Sequence, residues 1–417
     1  MHVSKLYKLL IFMALSTFAS CGSTRKAVDK TPWEMKEDEA VLDSAGVGQD
    51  EIDKGPDSLD LVYPYDPKEQ YEIAFLLPLF LHEYPGISER NKYLAAWSMD
   101  FWLGARLAFD TLRSIGFNAN VGLIDTRGDT AELARQLKTL TDADLLMGPL
   151  TPDHIRLVAP FVQAHKINMV SPLATFEGLN GLNDRIFLSK PPVHVLSRAA
   201  AELITSKYGN DYSVVIYCRS VAYELEEAKG ILALLPQDVA AKARIQEIEG
   251  SYVERGALSG SLPDSAVVLI CSDKEPFVTS VLAELRRTLD PHKVVGRESW
   301  LEFQSLDVSA WQKLDMHIIA TGYVDYTDTL LQSFVAHYRQ KYHAEPSRYA
   351  ISGFVETIYY CLYLNNYGAN FQAKLNQLEL SLPFESLHLA QDPSNLVFYN
   401  DHVKILKLVN DQLIEIK

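Results

Sequence analysis

Between Tyr71 and Ala320 the chain alternates short, uninterrupted apolar runs with segments whose apolar residues recur every three or four positions. The runs predict buried strands and the periodic segments predict helices laid over them. Ile73 to Leu79 (IAFLLPL) opens the series. A long amphipathic helix follows, ending at Gly116, in which Met99, Trp102, Leu103, Leu107, Phe109 and Leu112 are expected to face the sheet. Val121 to Ile124, Asp144 to Met147, Ile167 to Val170 and Ile186 to Leu188 read as the next strands, with helices opening at Thr130 and Asp153. Strands joined by single helices make right-handed crossovers, so they lie parallel and their exits share one edge. Within DLLMGPLTPDHIRLVAPFVQAHKINMVSPLAT the two exits, Gly148 to Asp153 and Ser171 to Thr175, therefore emerge together, rich in small residues and hydroxyls.

Lys190-Pro191-Pro192 stops this pattern, because paired prolines continue neither a ladder nor a helix. The alternation then restarts. Val193 to Tyr208 and Ser220 to Leu235 read as helices; Tyr212 to Cys218, Ala266 to Cys271, Val294 to Gly296 and His317 to Ala320 read as strands. After Tyr323 two long helices, Tyr326 to His343 and Tyr349 to Tyr367, are followed by Val397 to Val409, broken at Asn400-Asp401 as a hairpin or paired edge strands. The reading is an α/β protein of two lobes, each a doubly wound, mostly parallel sheet of Rossmann type: residues 71–190, residues 191–322, and residues 323–417 returning to the first lobe.

The order strand, GPLT, amphipathic helix, HKI, apolar strand, SPLAT resembles the type I periplasmic binding fold, in particular the leucine and branched-chain amino acid receptors. YR-x-x-Y-x-x-E-P-S-x-Y-A-x-x-G-F, from Tyr338 on, resembles that family's return to its first lobe. The resemblance spans residues 71 to 390. It implies a hinged pair of lobes closing on a small polar ligand, with a transporter permease or a sensor as partner. For ligand contacts it implies Thr151, Ala174 and Thr175 on the first lobe, where hydroxyls and backbone N–H groups would hold a carboxylate. On the second lobe it implies Tyr223 and Asp273. Thr151 and Thr175 serve equally as turn and capping residues, and Tyr223 as a packing residue. The same fold resembles lipoprotein activators of penicillin-binding proteins, which makes a cell-wall synthesis enzyme the alternative partner.

The amino terminus adds a location. Lys5 and Lys8 precede the apolar run Leu9 to Leu15, and Phe18-Ala19-Ser20-Cys21-Gly22 closes it. That arrangement resembles a bacterial lipoprotein signal over residues 1–20 with Cys21 as the lipidated residue, an ordinary secretory signal being the alternative. Residues 22 to 70 carry thirteen acidic and six basic side chains, and residues 21–70 read as an acidic tether, or alternatively a docking tail. An anchored protein facing the periplasm of a Gram-negative-type envelope follows.

A formal charge of −15 and the lack of a basic, aromatic-laced patch argue against nucleic acid as a partner. Cys218, Cys271 and Cys361 sit in apolar runs and read as buried free thiols. There is no G-x-S-x-G, H-E-x-x-H, P-loop or post-strand G-x-G-x-x-G, and the histidines lack metal-ligand spacing. The expectation is a binding protein with no cofactor and no catalytic residues. The Arg127-Gly128-Asp129 triplet reads as a turn.

Overall fold

The computed structural model describes residues 67–416 except 176–178, 180, 259, 261, 289–291, 377–386, 393–395 and 411. Cys21, the signal and almost all of the tether lie outside the described residues. The first lobe begins with β1 (Tyr71–Leu77), α1 (Glu89–Ser114), β2 (Ala119–Asp125), α2 (Thr130–Leu137), β3 (Leu145–Met147), α3 (Pro152–His165), β4 (Asn168–Ser171) and β5 (Ile186–Leu188). The second lobe holds α4 (Val193–Lys207), β6 (Ser213–Arg219), α5 (Ala222–Leu234), α6 (Gln237–Ala240), β7 (Ala243–Ile248), β8 (Ala266–Ile270), α7 (Glu275–Leu285), β9 (Lys293–Arg297), α8 (Val308–Lys313) and β10 (His317–Ala320). The chain continues through α9 (Thr329–Tyr342), α10 (Arg348–Tyr367), β11 (Leu389–Gln391), β12 (Phe398–Asn400), β13 (Lys404–Val409) and β14 (Gln412–Ile416).

Two seven-stranded sheets result, ordered β11-β12-β5-β4-β3-β1-β2 and β14-β13-β10-β9-β8-β6-β7. The central pairs β1/β3, β3/β4, β6/β8 and β8/β9 are parallel, as near-continuous apolar strands covered on both faces should be. Each sheet has a buried apolar cluster on either face. This is the two-lobe α/β architecture expected from the pattern. The chain crosses between sheets after β5, between β10 and the first-lobe helix α9, and between β12 and β13, which gives three connecting segments at one side.

The last crossing corrects the expectation for residues 323–417. Val397 to Val409 is not one hairpin: β12 pairs with β11 and β5 in the first sheet, whereas β13 pairs with β10 and β14 in the second. The Asn400 side-chain oxygen accepts from the N–H of His388 and of His402, both at 3.1 Å, and this bracing turns the chain out of the first sheet. The β7 strand has half-exposed, mixed residues (ARIQEI), so no apolar run announced it.

On helix α1 Leu107, Phe109 and Leu112 are buried and Trp102 and Leu103 pack against the same core, as expected, whereas Met99 is exposed. Ala95, Ser98, Phe101, Ala105 and Ala108 are buried as well. There α10 crosses α1 at backbone distance: a Cβ on Gly104 would stand 1.8 Å from the Ala350 oxygen, and one on Gly353 2.0 Å from the Phe101 oxygen. Small residues, not the large apolar ones, therefore make the seam.

Candidate functional site

Strand exits from both sheets line one cavity of about 310 Å³ between the lobes. Its first-lobe wall is aromatic. Trp97, on α1, stacks on Tyr349 at a ring distance of 5.0 Å and 26°. Tyr349 stands in the first turn of α10, which Ser347 caps by accepting from the N–H groups of Tyr349 and Ala350. The Arg348 guanidinium lies 5.2 Å from the Tyr349 ring centre and donates to its hydroxyl at 3.3 Å.

The second-lobe wall is polar and fixed. Glu298, just past β9, has one carboxylate oxygen (Oε2) that accepts from Thr321 N at 2.8 Å, Thr321 Oγ1 at 3.0 Å and Gly322 N at 3.0 Å. Lys190, on the first crossing, and Leu173, past β4, complete the surround. Arg348 also pairs with Glu302 at 3.1 Å, an ion pair from the first lobe to the second. A second hollow of about 650 Å³ shares Glu298, Gly322, Val324 and Arg348 and runs toward β14.

Thr151, Ala174 and Thr175 lie at the exits of β3 and β4, Tyr223 and Asp273 at those of β6 and β8, so all five sit on the carboxyl edges of the sheets. None of the five lines the 310 Å³ cavity. Thr151 is the N-cap residue of α3, yet its side chain makes no capping hydrogen bond. The turn before it is set by Gly148, whose missing Cβ would be 2.2 Å from the Leu76 oxygen, and by Ser171 Oγ donating to Pro149 O at 2.6 Å. Ala174 is buried and Thr175 exposed.

On the other lobe the two candidates are engaged locally. Tyr223 is exposed, its hydroxyl accepting from Arg219 at 2.7 Å, and Arg219 pairs at 2.7 Å with Glu224, which is fully buried. Asp273 accepts from Arg297 at 2.8 Å and from Ser299 at 2.5 Å. Arg297 also pairs with Glu227, and its burial draws the guanidinium down to about 10. Arg185 bonds Asn168, Ala369 and Asn370 at the opposite, amino edge of the first sheet.

Sequence reasoning missed Trp97, Glu298, Thr321 and Arg348. It had marked Lys190 as the crossing and Tyr349 within the EPS-x-YA wording. Among the described residues no cluster of metal-ligating side chains occurs and no helix is long and apolar enough to cross a membrane. Cys218, Cys271 and Cys361 are buried free thiols, the first pushed up to about 11 by burial.

No protein-family model matches the chain, and no curated protein matches it by sequence. Solved structures do match it. One, described as a branched-chain amino acid ABC transporter protein from Rhodospirillum rubrum, is 13% identical with a TM-score of 0.64, covering 83% of this chain and 100% of its own. An ABC transporter substrate-binding protein from Desulfitobacterium hafniense, in complex with Leu, is 14% identical with a TM-score of 0.51, covering 84% and 100%. A solute-binding protein of an ABC transporter from Rhodopseudomonas palustris, in complex with 3,4-dihydroxybenzoic acid, is 13% identical with a TM-score of 0.50, covering 84% and 97%. With these neighbours, two wound sheets and three crossings between them, the chain has the type I periplasmic binding fold.

Proposed function

We propose that this protein is a lipid-anchored solute-binding protein of the cell envelope, which closes two lobes over a small polar, amino acid-like ligand and presents the closed form to a transporter permease or a sensor. The observation that carries the reading is the cavity walled by Trp97 and Tyr349 from one lobe and Glu298 and Thr321 from the other. A hinge equilibrium shifts on binding only when the ligand touches both lobes in the closed form. The amino acid and hydroxybenzoate complexes of the neighbours favour a small polar solute. The reading is of a binder, with no cofactor and no catalytic step.

The test is a thermal-shift and calorimetric screen with amino acids, short peptides, sugars and carboxylates, joined to small-angle scattering. A hit that raises the melting temperature and compacts the particle is the expected result. No binding and no compaction would overturn the reading. For the anchor, mass spectrometry of the mature protein is expected to find acylated Cys21, and a Cys21→Ser variant is expected to leave the membrane fraction.

One observation favours a second reading, a scaffold acting on a cell-wall synthesis enzyme. Tyr223 and Asp273, the second-lobe positions implied by resemblance to amino acid receptors, are engaged by Arg219 and Arg297 of their own lobe. Co-purification of such an enzyme with ligand-free protein, and no hit in the screen, would establish it.

A further inference from the structure

We propose that the gap above Gly322 seats the head group of a zwitterion, with Glu298 taking its ammonium and Lys190 its carboxylate, and that the Trp97–Tyr349 surface selects a planar ring as the rest of the ligand. The proposal rests on the solute-binding reading and names the substrate class of that cavity.

Most charge around the cavity is already engaged. Arg348 is held by Glu302 and lies over Tyr349. The Oε2 of Glu298 carries three hydrogen bonds from the Thr321–Gly322 segment. Two charged groups lining the cavity keep a free atom: among the described residues neither Oε1 of Glu298 nor Nζ of Lys190 has a hydrogen bond or a close ion pair, although the Glu298 carboxylate also lies in the field of the Arg348 guanidinium. They flank one spot. A Cβ placed on Gly322 would be 3.5 Å from Glu298 Oε1 and 3.9 Å from Lys190 Nζ.

Gly322 does not have a left-handed backbone, so no turn requires a glycine there; what the residue supplies is the missing side chain. These two distances hold the opposite charges within about 7.4 Å of each other. A head group carrying both signs a few bonds apart can meet both in a bent arrangement, with a hydrogen bond of about 2.8 Å to each. A simple anion or cation satisfies only one of the two groups.

The ring preference comes from the opposite wall. Trp97 remains 38% exposed although it stacks on Tyr349, so a large aromatic face is left uncovered beside the charged gap. Arg348 already lies over the Tyr349 ring. A planar ring extends the stack by offset contact, whereas an aliphatic side chain covers less of it. The cavity of about 310 Å³ has room for one ring and a compact head group, and the adjoining hollow of about 650 Å³ shares its Glu298–Gly322 edge.

The test is calorimetry on the full chain with phenylalanine, tryptophan, leucine, benzoate and phenethylamine. The expected result is that an aromatic amino acid binds at least tenfold tighter than the other three compounds. Lys190→Met should weaken phenylalanine at least tenfold and leave phenethylamine unchanged, while Glu298→Gln should weaken both and leave benzoate unchanged. Gly322→Ala should lose at least tenfold in affinity with no change in the ligand-free melting temperature, because the added methyl meets its neighbours at ordinary contact distance. Equal binding of leucine or benzoate, or wild-type affinity in Gly322→Ala, would overturn the proposal. If a sugar or peptide binds and compacts the particle instead, the zwitterion assignment falls and the solute-binding reading stands; if nothing binds, both fall.

Discussion

The two walls of the cleft are built on the same strand plan and finished with different chemistry. On the first lobe the exits are held by side chains bonded to backbone: the Asp125 carboxylate gathers the N–H groups of Leu79, Phe80 and Leu81, and Ser171 bonds Pro149. The cavity surface on that side is Trp97, Leu173, Tyr349 and Ser352, with Arg348 tied to Glu302 across the cleft. On the second lobe the exits carry charge, in Arg219 with Glu224, Arg297 with Glu227 and Asp273, and Glu298 on the Thr321–Gly322 backbone. One wall supplies mainly aromatic surface, its guanidinium paired across the cleft, and the other supplies a fixed carboxylate. Closing them together lets a ligand be read for both at once, which neither lobe does alone.

The charged wall should be the more fragile. Arg219→Met leaves the Glu224 carboxylate, with no exposure at all, without its guanidinium, and breaking a buried pair from one side costs about 3–5 kcal/mol. Denaturant unfolding is the measurement. The double variant Arg219→Met, Glu224→Leu should recover most of that loss, since the burial of an unpaired charge and not the pair's own strength sets the cost. If the double variant is as unstable as the single one, the contrast between the walls has been drawn wrongly.

The next effect tests the first lobe at its tightest point. Gly353→Ala drives a methyl to 2.0 Å from the Phe101 backbone oxygen, so α1 and α10 must part, at about 3 kcal/mol. Gly296→Ala on the second lobe meets the Trp300 ring at 2.2 Å. A ring can swing where a backbone cannot, and the expected loss is smaller, about 1–2 kcal/mol. Melting curves of the two variants decide the order; the reverse order would mean that the Trp300 ring, not the helix seam, is the rigid element.

Acid should act on the second lobe through one buried histidine. His317 is buried at the start of β10, its ring between the Lys207 ammonium at 2.7 Å and the Tyr208 hydroxyl at 3.1 Å, with Asp315 nearby paired to Lys293 and Lys407. Burial, and then Lys207, pull its ring down to about 4 from an ordinary 6.5. The folded state therefore binds fewer protons than the unfolded state between those values. Its contribution is intact above pH 6.5 and is lost as pH falls toward 4, amounting to about 2 kcal/mol by pH 5. His317→Asn should flatten that part of the stability profile; an unchanged slope would place the acid sensitivity elsewhere.

What the sequence made legible follows the same division. Buried parallel strands announce themselves as apolar runs, so β1, β3, β4, β6 and β8 could be read directly. The edge strand β7 could not, because its half-exposed, mixed residues form no apolar run, and neither could the transfer of β13 and β14 to the second sheet, because β13 pairs with β10 across more than 80 residues and leaves no local period. The cleft was the least legible part. Trp97, Lys190, Glu298, Thr321 and Tyr349 come from separate segments and meet only through the hinge, so no spacing connects them. The residues implied by family resemblance follow strand ends in both sheets, and Thr151 and Asp273 do not line the cavity between the crossings.

The smallest expected effect tests whether the first-lobe wall is held as firmly as its function requires. Ser347→Ala removes the cap of α10 and frees the N–H groups of Tyr349 and Ala350, at about 1 kcal/mol. The global melting temperature should move by only a few degrees. The first turn of that helix, however, carries both Arg348 and Tyr349, and fraying it loosens the stack with Trp97 and the pair with Glu302 together. Hydrogen exchange should therefore speed up at Tyr349 and Ala350 more than anywhere in β6 or β8. Uniform exchange across both lobes would show that the aromatic wall is positioned by the core beneath it and not by its cap.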